Sequence, residues 1–351
     1  MGNLFVSAYG RSNVGKKRNN NEDNFYLSGV TVDSANDITA VCEKTSKIAF
    51  SVFDGMGGEA AGEKASQITA VTFGENLVEI MDSDFSQAVL QNTVDAANKK
   101  VCDEMRVIGR RMGCTFVSFG FSDDVLHICN VGDSRAYLLR NGSISCISKD
   151  HTVAQTMVDS GMISYEASQK TKEKHKLTQH IGIFPEEMII EPHFQSLQAE
   201  ENDVILLCSD GLTDMLSDEE IRNVLQANGS TEEKANALVE SALAKGGKDN
   251  VTVIVADVCT ENCAATTKTK RKYAGIIACA GAVLVLCAIC AAVFFAVSNR
   301  KNFSWDLDWF KKIIPTKQTT QTVNQTTQSA QTTQQSPTTP IIPEKQTVSE
   351  T

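Results

Sequence analysis

Acidic side chains recur where apolar runs end, each beside a glycine or an asparagine. Ala49-Phe50-Ser51-Val52-Phe53 runs into Asp54-Gly55-Met56-Gly57-Gly58, and Val204-Ile205-Leu206-Leu207-Cys208 passes through Ser209 into Asp210-Gly211. Gly246-Gly247-Lys248-Asp249-Asn250 opens directly into Val251-Thr252-Val253-Ile254-Val255, and Arg18-Asn19-Asn20-Asn21-Glu22-Asp23 precedes Asn24-Phe25-Tyr26-Leu27. One Asp-Gly after a strand is ordinary turn chemistry, because Asp bonds its own backbone and Gly accepts positive φ. Three such ends together with a Glu-Asp pair read differently. If the strands share one sheet edge, the acids converge. Converging carboxylates repel one another, and a hard divalent cation such as Mg²⁺ or Mn²⁺, which takes oxygen ligands, relieves that repulsion. The glycines allow backbone carbonyls to approach as further ligands.

Something must hold those ends together. Short β-branched or aromatic runs at 4–9, 47–53, 114–121, 125–131, 136–139, 204–208 and 251–258 read as strands. Residues 59–81 and 85–108 have the composition and apolar spacing of two long helices; 230–244 makes another, and Ser217 with Glu220 fits a capping box. Hairpin-like connections stand at Ser122-Asp123-Asp124 and Asn141-Gly142. Helices fall between runs of strands rather than after every strand, which predicts a layered α+β plan and not a doubly wound parallel sheet.

The 351 residues divide by composition into a globular part at 1–258, a polar and basic linker at 259–273, an apolar run at 274–297 and a Thr/Gln-rich tail at 298–351. The apolar run has no charged side chain and is long enough to cross a hydrocarbon core of about 30 Å as a transmembrane helix. Trp305 and Trp309 after it suit interfacial anchors. The tail has almost nothing to bury and is expected to be disordered. Lys268, Lys270, Arg271 and Lys272 before the run are matched by Arg300, Lys301, Lys311 and Lys312 after it, so charge barely sets the orientation. A folded N-terminal part without a secretory signal favours a single-pass cell-membrane protein with 1–258 cytoplasmic and the tail on the opposite side. The eleven cysteines form no disulfide framework and read as reduced thiols. A net charge of −10 without a basic, aromatic-studded stripe argues against nucleic acid as a partner.

Seven collinear motifs carry a family resemblance over roughly 4–258. They are Arg18-x-x-Asn21-Glu22-Asp23; Phe53-Asp54-Gly55-Met56-Gly57-Gly58 with Ala61-Gly62-Glu63 and Ala65-Ser66; and Met112-Gly113-Cys114-Thr115. Next come Asn130-Val131-Gly132-Asp133-Ser134-Arg135-Ala136-Tyr137, Asp150-His151, Ser209-Asp210-Gly211-Leu212 and Asp249-Asn250-Val251-Thr252. The chain resembles the metal-dependent serine/threonine protein phosphatases (type 2C, or PPM), especially the bacterial branch. The resemblance implies a four-layer αββα sandwich of two antiparallel sheets flanked by helices, with a flap within about 152–184 beside the active site. It implies that Asp54 bridges two Mn²⁺ or Mg²⁺ ions, that the Gly55 carbonyl helps hold the second, and that Asp210 and Asp249 bind the first. Glu22 would act at the second metal, supported by Asp23, with Asn250 a further supporting residue. Asp133 and Asp210 would form a weaker third site, and Arg18 would grip the substrate phosphate, for which an arginine fork is well shaped. The implied reaction is hydrolysis of phosphoserine and phosphothreonine by a metal-bridged water, on phosphoprotein substrates that include a Ser/Thr kinase.

One departure bears on mechanism. Animal-type members carry a histidine, proposed as general acid, where this chain has Met56; His151, His175 and His180 are formal substitutes, and water is the favoured proton source. Cys129 and Arg135 have the spacing of Cys-dependent phosphatases, yet Asp133 inside that loop would repel a phosphate and raise the thiol pKa. The alternative from another class is a catalytically inactive, membrane-tethered phosphatase-like binding module. It predicts loss of a metal ligand, whereas Glu22, Asp54, Asp210 and Asp249 are all present.

Overall fold

The computed structural model describes residues 4–32, 37–58 and 60–260. Alternation with a period of two decides its architecture. In β14 (Val251–Thr260), Val251, Val253 and Val255 face one core while Ile254, Ala256 and Val258 face another. In β5 (Ile48–Phe53), Phe50 and Val52 turn inward and Ala49 and Phe53 outward. A strand apolar on both faces must be covered on both, so sheets stack and helices close the outer faces.

One six-stranded sheet has the order β11 (Ser143–Cys146), β10 (Arg135–Arg140), β13 (Val204–Cys208), β14, β1 (Leu4–Asn13), β4 (Asp37–Thr45). The other has the order β12 (His193–Gln198), β9 (Val125–Val131), β8 (Phe116–Ser122), β5, β2 (Asn24–Leu27), β3 (Val30–Thr31). Neighbouring strands pair antiparallel throughout both sheets. A short pair, β6 (Gly55–Met56) with β7 (Gly113–Cys114), lies beside them. Between the sheets lies a core that includes Val6, Phe25, Phe50, Phe119, Leu207 and Ile254. Helices α1 (Ala60–Glu75), α2 (Leu77–Asp82) and α3 (Gln87–Ile108) cover the second sheet around Phe53, Phe73 and Phe116. Helices α7 (Asp218–Gln226) and α8 (Thr231–Ala244) cover the first around Leu206, Leu238 and Val253. The result is the expected αββα sandwich.

The two hairpins form where the sequence places them: Asp123 and Asp124 take φ of 49° and 60°, and Asn141 and Gly142 take 51° and 77°. Those are left-handed turns whose twist matches that of the flanking strands. Ser217 and Glu220 complete a capping box, and Ser230 with Glu233 forms a second. Other boundaries move. The helix expected over 59–81 is broken at Asn76, whose side chain donates back to the Thr72 carbonyl at 2.8 Å. The helix expected over 85–108 begins at Gln87, because Asp84 and Phe85 have φ of 49° and 59° and Ser86 caps it from the Val89 N–H. Strand β14 runs to Thr260, past the domain end expected at 258. Strands β3, β4, β11 and β12 have no counterpart in the sequence reading, and they are the four edges of the two sheets. In β4 only Ala40 is buried; Ile38 and Cys42 share its inward face, but Val41 on the outer face blurs the apolar alternation in the sequence.

Among the described residues no helix is long and apolar enough to cross a membrane. The expected span at 274–297, the tail at 298–351 and the linker from 261 onward lie outside the described residues.

Candidate active site

The strand ends do converge. Arg18, Glu22, Asp54, Gly55, Asp133, Asp210 and Asp249 line one cleft of about 510 Å³, together with Met56, Thr115, His175 and His180. Each acid is placed by its own local device. Asp54 leaves β5 between two bonds to Thr115: its N–H donates to Thr115 Oγ1 at 2.9 Å, and its carbonyl accepts the Thr115 N–H at 2.9 Å. Thr115 Oγ1 also meets Ser134 Oγ at 2.6 Å, which joins the Asp54 turn to the β9–β10 turn carrying Asp133. Asp210 opens the short helix α6 (Asp210–Thr213) straight after β13. Asp249 follows Gly246 and Gly247, whose φ of 132° and 49° make the turn into β14.

The N-terminal segment is fastened across the cleft by Asn250, which is 3% exposed. Its Oδ1 accepts the Glu22 N–H at 2.8 Å, and its Nδ2 donates to the carbonyls of Val14 at 2.9 Å and Asn20 at 3.0 Å. Asp23 stands behind the cleft rather than in it, accepting from Ser209 Oγ at 2.7 Å. The pieces meet at van der Waals limit: a Cβ on Gly55 would lie on the carbonyl oxygens of Gly62 and Glu22, and one on Gly211 on that of Asn250. Glycine at those positions is a packing requirement. The Arg18 guanidinium reaches Asp249 Oδ2 at 2.8 Å and Glu22 Oε2 at 3.8 Å, and its side chain is 44% exposed, so donors remain for an incoming anion.

The electrostatics fit a cation. Burial first, then repulsion from Asp23, Asp210, Asp133 and Asp249, holds the Asp54 carboxyl well above the usual carboxylate range. Burial and then Asp210 and Asp150 do the same to Asp133. Burial pushes Asp23 up to about 7 and also raises Glu22. Acids so placed resist ionisation together until positive charge joins them. Oxygen donors in this number are what Mg²⁺ and Mn²⁺ take, so the residues fit such ions. Carboxylate oxygens of Asp133 and Asp210 and a ring nitrogen of His175 all lie within 4.8 Å of one another.

His175 and His180 reach the cleft; His151 does not line it, and its Nδ1 accepts the Gly132 N–H at 3.2 Å. Cys129 is fully buried in β9, where burial pushes its thiol up, and Arg135 is bound to Asp150 at 2.6 Å. That pair forms no phosphate cradle. Thr115 and Ser209 stand within the motifs quoted above without a role there; Thr115 is 61 residues from Asp54 in sequence and Ser209 186 from Asp23, so their work is tertiary.

Fold and cleft together define a sandwich protein with a carboxylate-walled centre suited to divalent cations. A family model described as Protein phosphatase 2C matches residues 33–246, and the chain belongs to that family. Its relatives include the serine/threonine protein phosphatase PstP of Mycobacterium tuberculosis (strain H37Rv), 37% identical over 258 residues, or 71% of this chain. The match spans 44% of the length of that relative. The serine/threonine phosphatase stp of Listeria monocytogenes (serotype 4b) is 30% identical over 254 residues, covering 70% of this chain and 94% of the relative. Among solved structures, the catalytic domain of PstP in complex with two manganese ions matches with a TM-score of 0.59 and 34% identity, over 73% of this chain and 99% of that one. Stp1 of Staphylococcus aureus matches with a TM-score of 0.58 and 27% identity, over 71% of this chain and 94% of that one.

Proposed function

We propose that this chain is a Mn²⁺- or Mg²⁺-dependent serine/threonine protein phosphatase, held to the cell membrane through 274–297 with the catalytic domain cytoplasmic. One observation carries the activity: Glu22, Asp54, Asp133, Asp210 and Asp249, from five separate stretches of chain, meet around one cleft with Arg18 at its mouth. Asp54 and Asp210 with Asp249 and Glu22 would hold two ions, and Asp133 with Asp210 a third. When bound, such ions supply acidified water and positive charge against the phosphoryl oxygens.

The remaining work belongs to the chain. Arg18 binds and orients the phosphate through donors not engaged by Asp249. Asn250 and Thr115 keep Glu22 and Asp54 in place before substrate arrives, so little reorganisation is needed during reaction. Met56 can give no proton. His180 Nδ1 lies 2.8 Å from the Ile181 carbonyl and burial lowers its pKa, so at neutral pH it is a poor acid. His175 also lines the cleft, and its contact with Asp210 raises its pKa; it is taken below as a metal ligand, which leaves water to protonate the leaving alkoxide, as the sequence reading favours. The physiological targets are phosphoproteins, among them a membrane Ser/Thr kinase whose action the enzyme reverses.

Purified full chain should release phosphate from a phosphothreonine peptide with Mn²⁺, lose activity in EDTA, and lose it in Asp210→Asn. Cys129→Ser should keep Mn²⁺-dependent turnover. A folded chain that binds Mn²⁺ yet never turns over would instead establish the inactive binding module. For topology, protease added to intact cells should cut the tail beyond 297 and spare 1–258. A tail cut only after lysis would reverse the orientation.

A further inference from the structure

We infer that His175 supplies a nitrogen ligand to the cation held by Asp133 and Asp210, and so pins the segment 152–184 to the metal centre. The inference rests on the metal-dependent reading above and adds to it a residue, a metal preference and a coupling.

The three side chains come from different parts of the fold. Asp133 sits in the β9–β10 turn, Asp210 opens α6, and His175 ends a 3₁₀ turn (Lys172–His175) within the segment that also holds α4 (Val153–Asp159) and α5 (Tyr165–Ser168). Their ligand atoms lie within 4.8 Å of one another. The imidazole lies between two carboxylates. Nδ1 lies 3.7 Å from Asp210 Oδ2, while Nε2 lies 3.7 Å from Asp214 Oδ2, one helical turn further along α6. At 3.7 Å neither contact is a hydrogen bond, so the two carboxylates sit beside the ring without fixing its tautomer, and a nitrogen stays available to a cation. Asp214 is itself held by Lys174 at 2.8 Å, so two consecutive residues of the turn grip α6. Asp133 is half-buried, and burial with the neighbouring Asp210 holds its carboxyl above the usual range, against Arg135 and a backbone hydrogen bond that favour the charged form.

Two consequences follow. A nitrogen ligand suits Mn²⁺ better than Mg²⁺, which prefers oxygen and keeps its waters. Mn²⁺ should therefore fasten the segment, and Mg²⁺ should leave His175 free. The segment has other attachments near its ends, at the Thr152–Leu177 and Cys114–Ile181 bridges. Between them, His175 makes the order of 153–175 depend on which ion is bound.

Every other ligand expected in the cleft is an oxygen, so nitrogen is a specific reporter. Full chain frozen with enough Mn²⁺ to occupy all three sites, at least three equivalents per chain, is examined by pulsed electron paramagnetic resonance for nitrogen-14 modulation of the bound ion. Wild type should show it. His175→Gln should lose it while retaining the remaining bound Mn²⁺ signal, and His180→Gln should keep it. In hydrogen exchange, Mn²⁺ should slow amides of 153–175 roughly tenfold in wild type and not in His175→Gln, with Mg²⁺ ineffective in both. Bound Mn²⁺ without nitrogen modulation, or modulation that persists in His175→Gln, would overturn the assignment and leave His175 as a plain ion-pair partner of Asp210. No bound Mn²⁺ at all would bring down the metal centre itself, and His175 with it.

Discussion

Asp54→Asn should lower Mn²⁺-dependent phosphate release by about 10³-fold, the order expected for losing a central electrostatic element, and should raise the melting temperature of the metal-free chain. The two effects have one cause. Asp54 is buried among Asp23, Asp210, Asp133 and Asp249, so its charge is unwelcome until cations arrive. The amide keeps the shape, removes the repulsion and removes a ligand together. Added Mn²⁺ should then stabilise the variant much less than wild type.

The sign can be checked by pH. Asp23, Asp54 and Asp133 all have folded pKa values raised above their unfolded values, Asp23 to about 7. The folded chain then holds more protons than the unfolded one from about pH 4 upward, so stability in EDTA falls as pH rises toward 7. Saturating Mn²⁺ should flatten that slope, and Asp54→Asn should make it shallower without metal. Thermal melts in EDTA at pH 5 and 7.5 test this. A metal-free Asp54→Asn that melts below wild type would refute the account.

Asn250→Ala is the second large effect. The side chain touches no substrate, yet it satisfies the Glu22 N–H and the carbonyls of Val14 and Asn20. Deleting it strands these groups at a cost of about 3 kcal/mol, given roughly 1–3 kcal/mol for each unsatisfied buried group. It also frees the segment that carries Arg18 and Glu22, so kcat should fall and KM should rise. Asn250→Asp keeps an acceptor for Glu22 but sets a carboxylate oxygen against the two carbonyls and adds charge beside the acids, so without metal it should be no more stable than Asn250→Ala. Denaturant unfolding separates the two contributions, and an Asn250→Ala chain of normal stability and activity would show that the segment is held by other contacts.

How much of this was legible depended on where each residue sits. Inner strands such as β5, β13 and β14 are buried along their length, and their apolar runs announce them. The edges β3, β4, β11 and β12 have Ala40 as their one buried residue and carry no continuous apolar run. The acids of the cleft were readable because each needs a turn, and turns take Asp and Gly for reasons local to the chain. His175 belongs to a stretch of short helices without periodicity, so nothing nearby in sequence points to Asp210. Its relevance is purely tertiary. Asn76 and Phe85, which move two helix boundaries, act through a back-bond and a left-handed backbone that composition does not reveal.

The pairing of β1 with β14 runs from Leu4 opposite Thr260 to Asn13 opposite Val251. The cleft gathers at the second of these ends, where Arg18 and Asp249 lie. Thr260 therefore stands one strand length away, roughly 30 Å at about 3.3 Å per residue. Under the membrane anchoring proposed above, the chain would be tethered through the end of the domain that carries Thr260, with the reacting phosphate handled at the opposite end. Phosphosites held a domain's length from the membrane would then be favoured over those close against it. Selection among neighbouring substrates can thus begin with distance, before any side chain has met them.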